Sequence, residues 1–466
     1  MNRRQFLQSG ITAATAIMAS RFASAADAPV RKPNIVYILA DDLGYGDIGP
    51  YGQTQILTPN LDRMAAEGMR FTDHYAGAPL CAPSRCVLMT GLHTGHARIR
   101  DNATDALNTL AEGDTTVAQS LKAAGYATAC IGKWGLGKYG TTGDPAKKGF
   151  DHFFGFLDQD RAHFYYPTEL QRDGQNVSID ANIGGKQGAY ASDLFTDDAL
   201  SFIGQRRSEP FFLYLAYTTP HAELLVPDDS LKQYAGKWEE KPFPKKHYGA
   251  QPQPRAARAA MITRMDRDIG RMLNKLKEMG LDQDTLVIFA SDNGPAKAGG
   301  ADPAFFHSSG PLRGLKFELT EGGIRVPMIA RWPGKIAPKT VSDLPCAFWD
   351  VFPTLTEIAG AKPPANLDGL SFAPTLLGNP AAQASHEYLY WEHNSTQAVR
   401  FGQYKAQRRS PGKQIALYDL KADIGEATNI AAEHPELAKK AADFMSAAHK
   451  DDPNWPMTGG DGAAKD

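Results

Sequence analysis

The pentapeptide Cys81-Ala82-Pro83-Ser84-Arg85 places a thiol, a proline and a guanidinium within about one turn of chain. Before it, Arg70-Phe71-Thr72-Asp73-His74-Tyr75 reads as an extended strand. After it, Ser84 to Met89 reads as a helix that Gly91 stops. Pro83 suits the first helical turn, where a missing N–H costs nothing. The side chain at 81 then lies over unpaired N–H groups at the positive end of a helix dipole, a site for an anion. Arg85, one turn on, can point back at that anion. Taken alone, the pentapeptide also fits a buried cysteine at a helix start, since free Cys is among the most buried residue types.

A second constellation is made of oxygen donors. Asp41-Asp42 follows the apolar run Ile35 to Ala40, and Asp292-Asn293 follows Leu286 to Ala290 across Ser291. Two adjacent pairs, one after each of two strands, can converge on a hard cation. With no thiolate or imidazole in the set, Ca²⁺ or Mg²⁺ is favoured over zinc. In isolation such a pair is an ordinary turn or helix cap.

The elements that must position these groups alternate between β-rich and helical runs, which predicts a mostly parallel α/β sheet. Thr128 to Ile131 leads into Gly132-Lys133-Trp134, and Phe211 to Ala216 leads to Thr219-Pro220-His221. Such sheets bind ligands at the carboxyl ends of their strands, where all four runs deliver polar groups. Leu61 to Glu67, Val117 to Ala124 and Arg255 to Met279 read as helices. The stripe Met261, Met265, Ile269, Met272 and Leu276 reads as core packing.

At 466 residues the chain exceeds one compact core, so a large domain with a smaller one is expected; 42% hydrophobic and 22% charged residues argue against disorder. Residues 1–26 read as a leader: Arg3-Arg4 and Phe6-Leu7 precede an apolar stretch, and Ala23-Ser24-Ala25 offers a cleavage site, resembling a twin-arginine export signal. The expectation is an exported bacterial protein, periplasmic or extracellular, with no integral membrane association. Losing Arg3, Arg4 and Arg21 with the leader would make the net charge of −2 more negative, which leaves no electrostatic footprint for nucleic acid. An anionic substrate must then be held by a local cluster. Four cysteines are too few for a disulfide scaffold, and Cys86, Cys130 and Cys346 read as core thiols.

Cys-x-Pro-Ser-Arg is the pattern of the type I, formylglycine-dependent sulfatases, and the chain resembles that family from about Lys32 to Gly369. Pro33-Asn34-Ile35-Val36 with Asp41-Asp42, the Cys81 to Arg85 run, Gly132-Lys133-Trp134, Thr219-Pro220-His221, Ser291 to Gly294, and Lys316 with Glu321 to Pro327 stand in family order. The resemblance implies an alkaline-phosphatase-like α/β fold over residues 32–375. It also implies a small C-terminal α+β subdomain over 376–466, with strand-like runs at Tyr388 to His393 and Ala398 to Gln407 and a helix from Pro435 to His449.

The resemblance implies that Cys81 becomes formylglycine, made by a maturation enzyme, whose hydrate is the nucleophile. It implies one Ca²⁺ held by Asp41, Asp42, Asp292, Asn293 and residue 81. Arg85, Lys133 and Lys316 would hold the sulfate, Asp292 would assist attack, and Lys316 or His221 would protonate the leaving oxygen. The expected substrate is a sulfated sugar of galactose or N-acetylgalactosamine type, within polysaccharide degradation. Arg100, His163, His307 and Trp391 are candidate substrate contacts, with Tyr165, Tyr166 and Glu392 as further sugar-binding surfaces. One position departs: many relatives have Gly-Lys-Trp-His-Leu-Gly, whereas this chain has Gly135 after Trp134. His163 and His307 are candidates for the missing group. A phosphoester or phosphonate hydrolase on the same fold, and a sulfated-glycan-binding protein without turnover, are the alternatives.

Overall fold

Strands with no exposed position make the centre of the fold: β1 (Asn34–Ala40), β4 (Ala127–Lys133), β8 (Phe211–Ala216) and β9 (Thr285–Ser291) are buried throughout. Burial on both faces is the mark of parallel strands covered by helices on each side. Along β1, Ile35, Tyr37 and Leu39 enter one hydrophobic core, while Val36, Ile38 and Ala40 enter the other. The computed structural model describes residues 32–205 and 209–457; the expected leader, residues 1–26, lies outside them.

Ten strands form the main sheet in the order β11-β2-β10-β9-β1-β8-β4-β5-β6-β7. The remaining members are β2 (Met69–Phe71), β5 (His152–Phe156), β6 (Glu169–Arg172), β7 (Gln175–Ser178), β10 (Met328–Arg331) and β11 (Thr340–Ser342). The five strands from β9 to β5 are parallel, and antiparallel strands extend them on both sides. Helix α1 (Pro59–Ala66), α4 (Ala191–Gln205) and α5 (Pro254–Glu278) cover one face; α5 lays the buried methionine stripe on it. Helix α2 (Cys81–Thr90), α3 (Val117–Ala123) and α6 (Val351–Ala359) cover the other. The predicted strand Arg70 to Tyr75 is two short pieces, β2 and β3 (His74–Tyr75), the latter paired with β12 (Cys346–Ala347).

A four-stranded antiparallel sheet, β13 (Leu389–His393), β14 (Thr396–Phe401), β15 (Tyr404–Arg408) and β16 (Ala416–Asp419), packs with α7 (Pro435–Ala448). The single run expected from Ala398 to Gln407 is two strands, because Gly402 takes a left-handed φ of +54° and turns the chain between them. Both sheets belong to one compact unit that begins at Pro33. A buried ionic seam joins them. Lys405 of β15 reaches Glu321 at 2.9 Å and Glu426 at 3.2 Å, and Arg400 of β14 reaches Asp73 at 2.5 Å. All four cysteines are free and buried.

Candidate active site

Register builds the site. Ala40 of β1 sits opposite Ser291 of β9, so Asp41-Asp42 and Asp292-Asn293 leave the sheet side by side at its carboxyl edge. Asp42 holds a left-handed φ of +63°, and its amide donates to Asp292 Oδ1 at 3.1 Å. A non-glycine residue there costs energy that its surroundings must offset, a common condition at functional sites. Lys133 closes β4 at the same edge, and the turn after β8 carries His221. Tyr165 fixes that turn, its hydroxyl against the carbonyls of Thr218 (2.6 Å) and His221 (2.8 Å).

Cys81 opens α2 after an extended Leu80, as the pentapeptide predicts, and the whole helix is buried. Asn102 Oδ1 accepts the free amide of Ala82 at 3.0 Å. Lys316 comes from the loop ahead of Glu321, and its amide donates to Pro295 O at 3.0 Å.

Three carboxylates and three cations surround the thiol. Lys133 Nζ lies 2.7 Å from Asp41 Oδ2, and Arg85 Nη2 lies 2.7 Å from Asp292 Oδ2 and 3.3 Å from Asp41 Oδ2. Lys316 Nζ bridges Asp42, at 2.8 Å, and Cys81 Sγ, at 3.3 Å. Burial alone would raise the Asp41 carboxyl, but Lys133, His221 and Arg85 hold it well below the usual range. For Asp292, burial and the neighbouring Asp41 carboxylate outweigh Arg85 and push it up to about 6. Burial opposes charge on Lys316 as well, yet Asp42 keeps its ammonium well above the ordinary value. Burial pushes the Cys81 thiol up to about 11, so at neutral pH it is a neutral group and a poor nucleophile.

The donors suit a hard cation. Asp41, Asp42, Asp292 and Asn293 are all fully buried, and Asn293 Oδ1 has no hydrogen-bond partner among the described residues. Asp41, Asp42, Cys81 and His221 bring ligand atoms within 4.8 Å of one another, a grouping that adds the His221 imidazole to the expected set and does not include Asp292. His221 Nδ1 contacts the Ala222 carbonyl, which assigns the ring proton to that nitrogen and leaves the Nε2 lone pair facing Asp42 Oδ2 at 3.4 Å. Lone pair and carboxylate repel unless a proton or a cation lies between them.

Several expected substrate contacts are corrected. Trp391 is fully buried between Tyr75 and Trp349, its indole N–H donating to Ala76 O at 2.9 Å, so it offers no face to a sugar. Arg100 is buried and engaged with Glu392 at 2.6 Å and with the Lys450 carbonyl at 2.9 Å. Tyr165 is spent on the His221 turn. His307 is exposed on the turn after Pro303–Phe306, and no hydrogen bond or ring contact among the described residues joins its side chain to the cluster. His163, by contrast, stacks on His221 with ring centroids 3.8 Å apart, and its Nε2 is buried without a partner among the described residues.

The run Arg100-Asp101-Asn102 reads from sequence as a group for sugar hydroxyls near the helix that carries residue 81; Asn102 does lie at that helix, with its oxygen on the Ala82 amide. Sequence reasoning missed Gln159 beside Gly135, which had no signal, because its place depends on how the loop after β5 folds back.

Residues 33–361 match the family described as Sulfatase, and residues 316–449 match the C-terminal region of N-sulphoglucosamine sulphohydrolase. The chain is 36% identical over 406 residues to N-acetylgalactosamine-6-sulfatase of Rattus norvegicus, covering 82% of this chain and 72% of that protein. It is 32% identical over 500 residues to N-acetylgalactosamine-6-O-sulfatase of Bacteroides thetaiotaomicron, covering 89% and 93%. The fold is similar to that of Ps i-CgsB in complex with k-i-k-neocarrahexaose, with a TM-score of 0.78, 28% identity, and coverage of 92% and 96%. Buried carboxylates and cations around the residue 81 helix start, and a family match over most of the chain, lead to one conclusion: this chain belongs to the sulfatase family and is a sulfuric ester hydrolase.

Proposed function

We propose that the chain hydrolyses sulfate esters of sugars, of the galactose or N-acetylgalactosamine type, using a formylglycine made from Cys81 and one Ca²⁺. The observation that carries this reading is the placing of residue 81: at the start of a buried helix, its Sγ lies 3.3 Å from Lys316 Nζ and 3.6 Å from Asp41 Oδ1, at the edge of the cluster of Arg85, Lys133 and the paired carboxylates. As its hydrate, formylglycine supplies an oxygen nucleophile at that place. The named relatives support a sugar sulfate as substrate; export rests on the leader motif of residues 1–26, and the need for a maturation enzyme on the formylglycine reading of Cys81.

Asp41, Asp42, Asp292, Asn293 and residue 81 would hold the calcium ion, which supplies positive charge beside the ester oxygens. With their carboxylate partners so engaged, Arg85, Lys133 and Lys316 turn their charge to the sulfate group and to the charge that develops on it. Asp292, whose carboxylate is bonded to Arg85 at 2.7 Å, is the group to take a proton from the attacking hydroxyl. Lys316, whose ammonium lies 3.3 Å from Cys81 Sγ, is the proton source for the leaving alcohol; His221, with its ring proton on Nδ1, presents a lone pair to the site. His163, in ring contact with His221, takes the place that Gly135 leaves without a histidine.

Intact-mass analysis and a substrate panel test the reading together. Conversion of Cys81 lowers the mass of the purified protein, and the converted protein releases sulfate from galactose 6-sulfate or N-acetylgalactosamine 6-sulfate. Cys81→Ala keeps the fold and loses turnover. Hydrolysis of phosphonate monoesters in preference to every sulfate ester would replace the proposal with the phosphonate reading.

A further inference from the structure

Leu315 to Glu318 make the turn that carries Lys316 to residue 81, and the Glu318 amide closes it on the Leu315 carbonyl at 3.1 Å. Its central residues are Lys316 and Phe317. Phe317 holds a left-handed φ of +75°, a conformation that turns ordinarily reserve for glycine at this place. A bulky side chain there is an outlier whose cost the surrounding structure must offset. Two backbone bonds hold it: the Lys316 amide donates to Pro295 O at 3.0 Å, and the Phe317 amide to Pro79 O at 2.9 Å, just ahead of Cys81. Glycine would make the same bonds at lower cost, so what phenylalanine adds is its ring.

That ring is not spent on packing. Phe317 is 40% exposed and joins neither core of the main sheet nor that of the small sheet. The Lys316 ammonium stands over it, 5.6 Å from the ring centre, and the same ammonium lies 3.3 Å from Cys81 Sγ. One nitrogen thus joins the exposed ring to the reacting position. Lys316 is itself buried and has Asp42 at 2.8 Å, so it does not need the ring as a counter-charge.

Chemistry then decides what meets the ring. With Lys316 as the proton source, the departing sugar oxygen comes within hydrogen-bond reach of Nζ, ~3 Å. The sugar bonded to that oxygen lies beside the phenyl group. A sugar offers an aromatic face its C–H groups, not its hydroxyls. In the galactose configuration the axial hydroxyl at C4 leaves the hydrogens of C3, C4 and C5 on one side, a continuous apolar patch. In the glucose configuration the C4 hydrogen points to the opposite side, and the patch is broken.

The geometry points to Phe317 as a specificity-determining residue, whose exposed ring stacks on the C3 to C5 face of a galactose-configured sugar while that sugar's sulfate lies at residue 81. This inference rests on the proposed sugar sulfatase activity and names the side chain by which the site tells the galactose from the glucose configuration.

The test compares converted wild type, Phe317→Leu and Phe317→Tyr on N-acetylgalactosamine 6-sulfate and N-acetylglucosamine 6-sulfate, which differ only at C4. The reading is the ratio of kcat/KM between the two sugars. Phe317→Leu keeps apolar bulk without a flat face, and should lower that ratio about three- to tenfold, the size of one aromatic contact, chiefly through KM on the galactosamine sugar. Phe317→Tyr keeps the face and should leave the ratio within about twofold of wild type. A second reading needs no turnover. In saturation-transfer NMR of N-acetylgalactosamine 6-sulfate with the Cys81→Ala protein, the strongest transfer should fall on the C3, C4 and C5 hydrogens, and adding Phe317→Leu should remove that pattern. This pattern decides the matter if Phe317→Leu folds poorly, and its absence from the Cys81→Ala protein overturns the stacking. If Phe317→Leu lowers both sugars equally through kcat, Phe317 only holds Lys316 in place, and the inference falls while the sulfatase reading stands. A wild type that prefers the glucosamine sugar overturns the inference as well. A converted wild type that cleaves 4-nitrophenyl sulfate and neither sugar removes the sugar reading and this inference with it.

Discussion

Lys316→Ala is the substitution whose effect follows most directly from the geometry. The ammonium sits 2.8 Å from Asp42 and 3.3 Å from Cys81 Sγ, so it faces both the carboxylates and the place where the nucleophile is formed. A unit charge about 4 Å from a developing charge, at an effective dielectric near 20, contributes about 4 kcal/mol. Some of that is regained by water entering the truncated site, so a fall in kcat of about 10²- to 10³-fold is expected. Lys316→Arg keeps the charge but puts a planar fork where a compact ammonium fits, and should lie between the two. The assay is steady-state hydrolysis of 4-nitrophenyl sulfate and of a sugar sulfate, with conversion of Cys81 confirmed by mass in each variant. If Lys316 acts only by its charge, both substrates lose equally; if it also protonates the leaving oxygen, the sugar ester loses more than the aryl ester, whose leaving group needs little protonation. A loss below tenfold for Lys316→Ala, or one confined to KM, would refute the placement of this charge at the reacting sulfate.

Other perturbations have equally definite outcomes. Chelation should remove activity, Ca²⁺ should restore it, and elemental analysis should find one calcium per chain; stoichiometric zinc tracking activity would overturn the oxygen-ligand assignment. Burial raises the Glu321 carboxyl, but Lys405, Arg325 and Arg400 overcome this and set it at about 2, against an ordinary 4.5. Because the folded value is depressed, its stabilisation is present above pH 4.5 and is lost as pH falls toward 2. Glu321→Gln should flatten that acid limb of a stability-versus-pH curve and lower Tm by several degrees at neutral pH, the cost of a broken buried pair being about 3 kcal/mol. An unchanged melting curve would show that the seam is not ionic. His163→Ala should convert steady turnover into a burst followed by slow cycles in pre-steady-state kinetics. Burst-free traces in that variant would mean His163 does not replace the histidine absent at Gly135.

The carboxyl edge of the sheet was legible because β1, β4, β8 and β9 are short apolar runs that each end in polar residues. Parallel pairing then forces those ends together, and a local pattern carries a long-range consequence. The antiparallel additions were not legible: β6 and β7 are short and polar, and their pairing depends on the turn at Asp173-Gly174. Trp391 shows the limit of residue type as a guide. An aromatic beside a glutamate suggests a sugar platform, but β13 docks against β3 and α6's neighbours, and the indole becomes part of the core. Arg100 misled for the same reason, since Glu392, its partner, lies 292 residues away in the sequence. Such pairings are set by the docking of one sheet on another, which no window of sequence contains.

An acidic chain handling an anionic ester needs its positive charge concentrated, and the fold achieves this by pairing. Arg85, Lys133 and Lys316 are buried against Asp41, Asp42 and Asp292 in equal number. Burial alone would favour the neutral form of Lys316, and Asp42 offsets it. The carboxylates therefore do two things: they balance the three buried cations in the resting protein, and they offer oxygen ligands to a divalent ion. A sulfate monoester adds one negative charge and the proposed calcium ion would add two positive, so on that proposal the occupied site moves from neutrality to a small positive excess. That excess is suited to a nucleophile that must lose a proton beside the sulfate. Without a metal the Asp41 and Asp292 carboxyls already differ: Asp41 is held low by Lys133, His221, Arg85 and Lys316, whereas burial and the neighbouring Asp41 push Asp292 up. Two neighbouring carboxyls driven apart in this way give one fixed charge and one proton acceptor, the division of labour that attack by a hydroxyl at position 81 calls for.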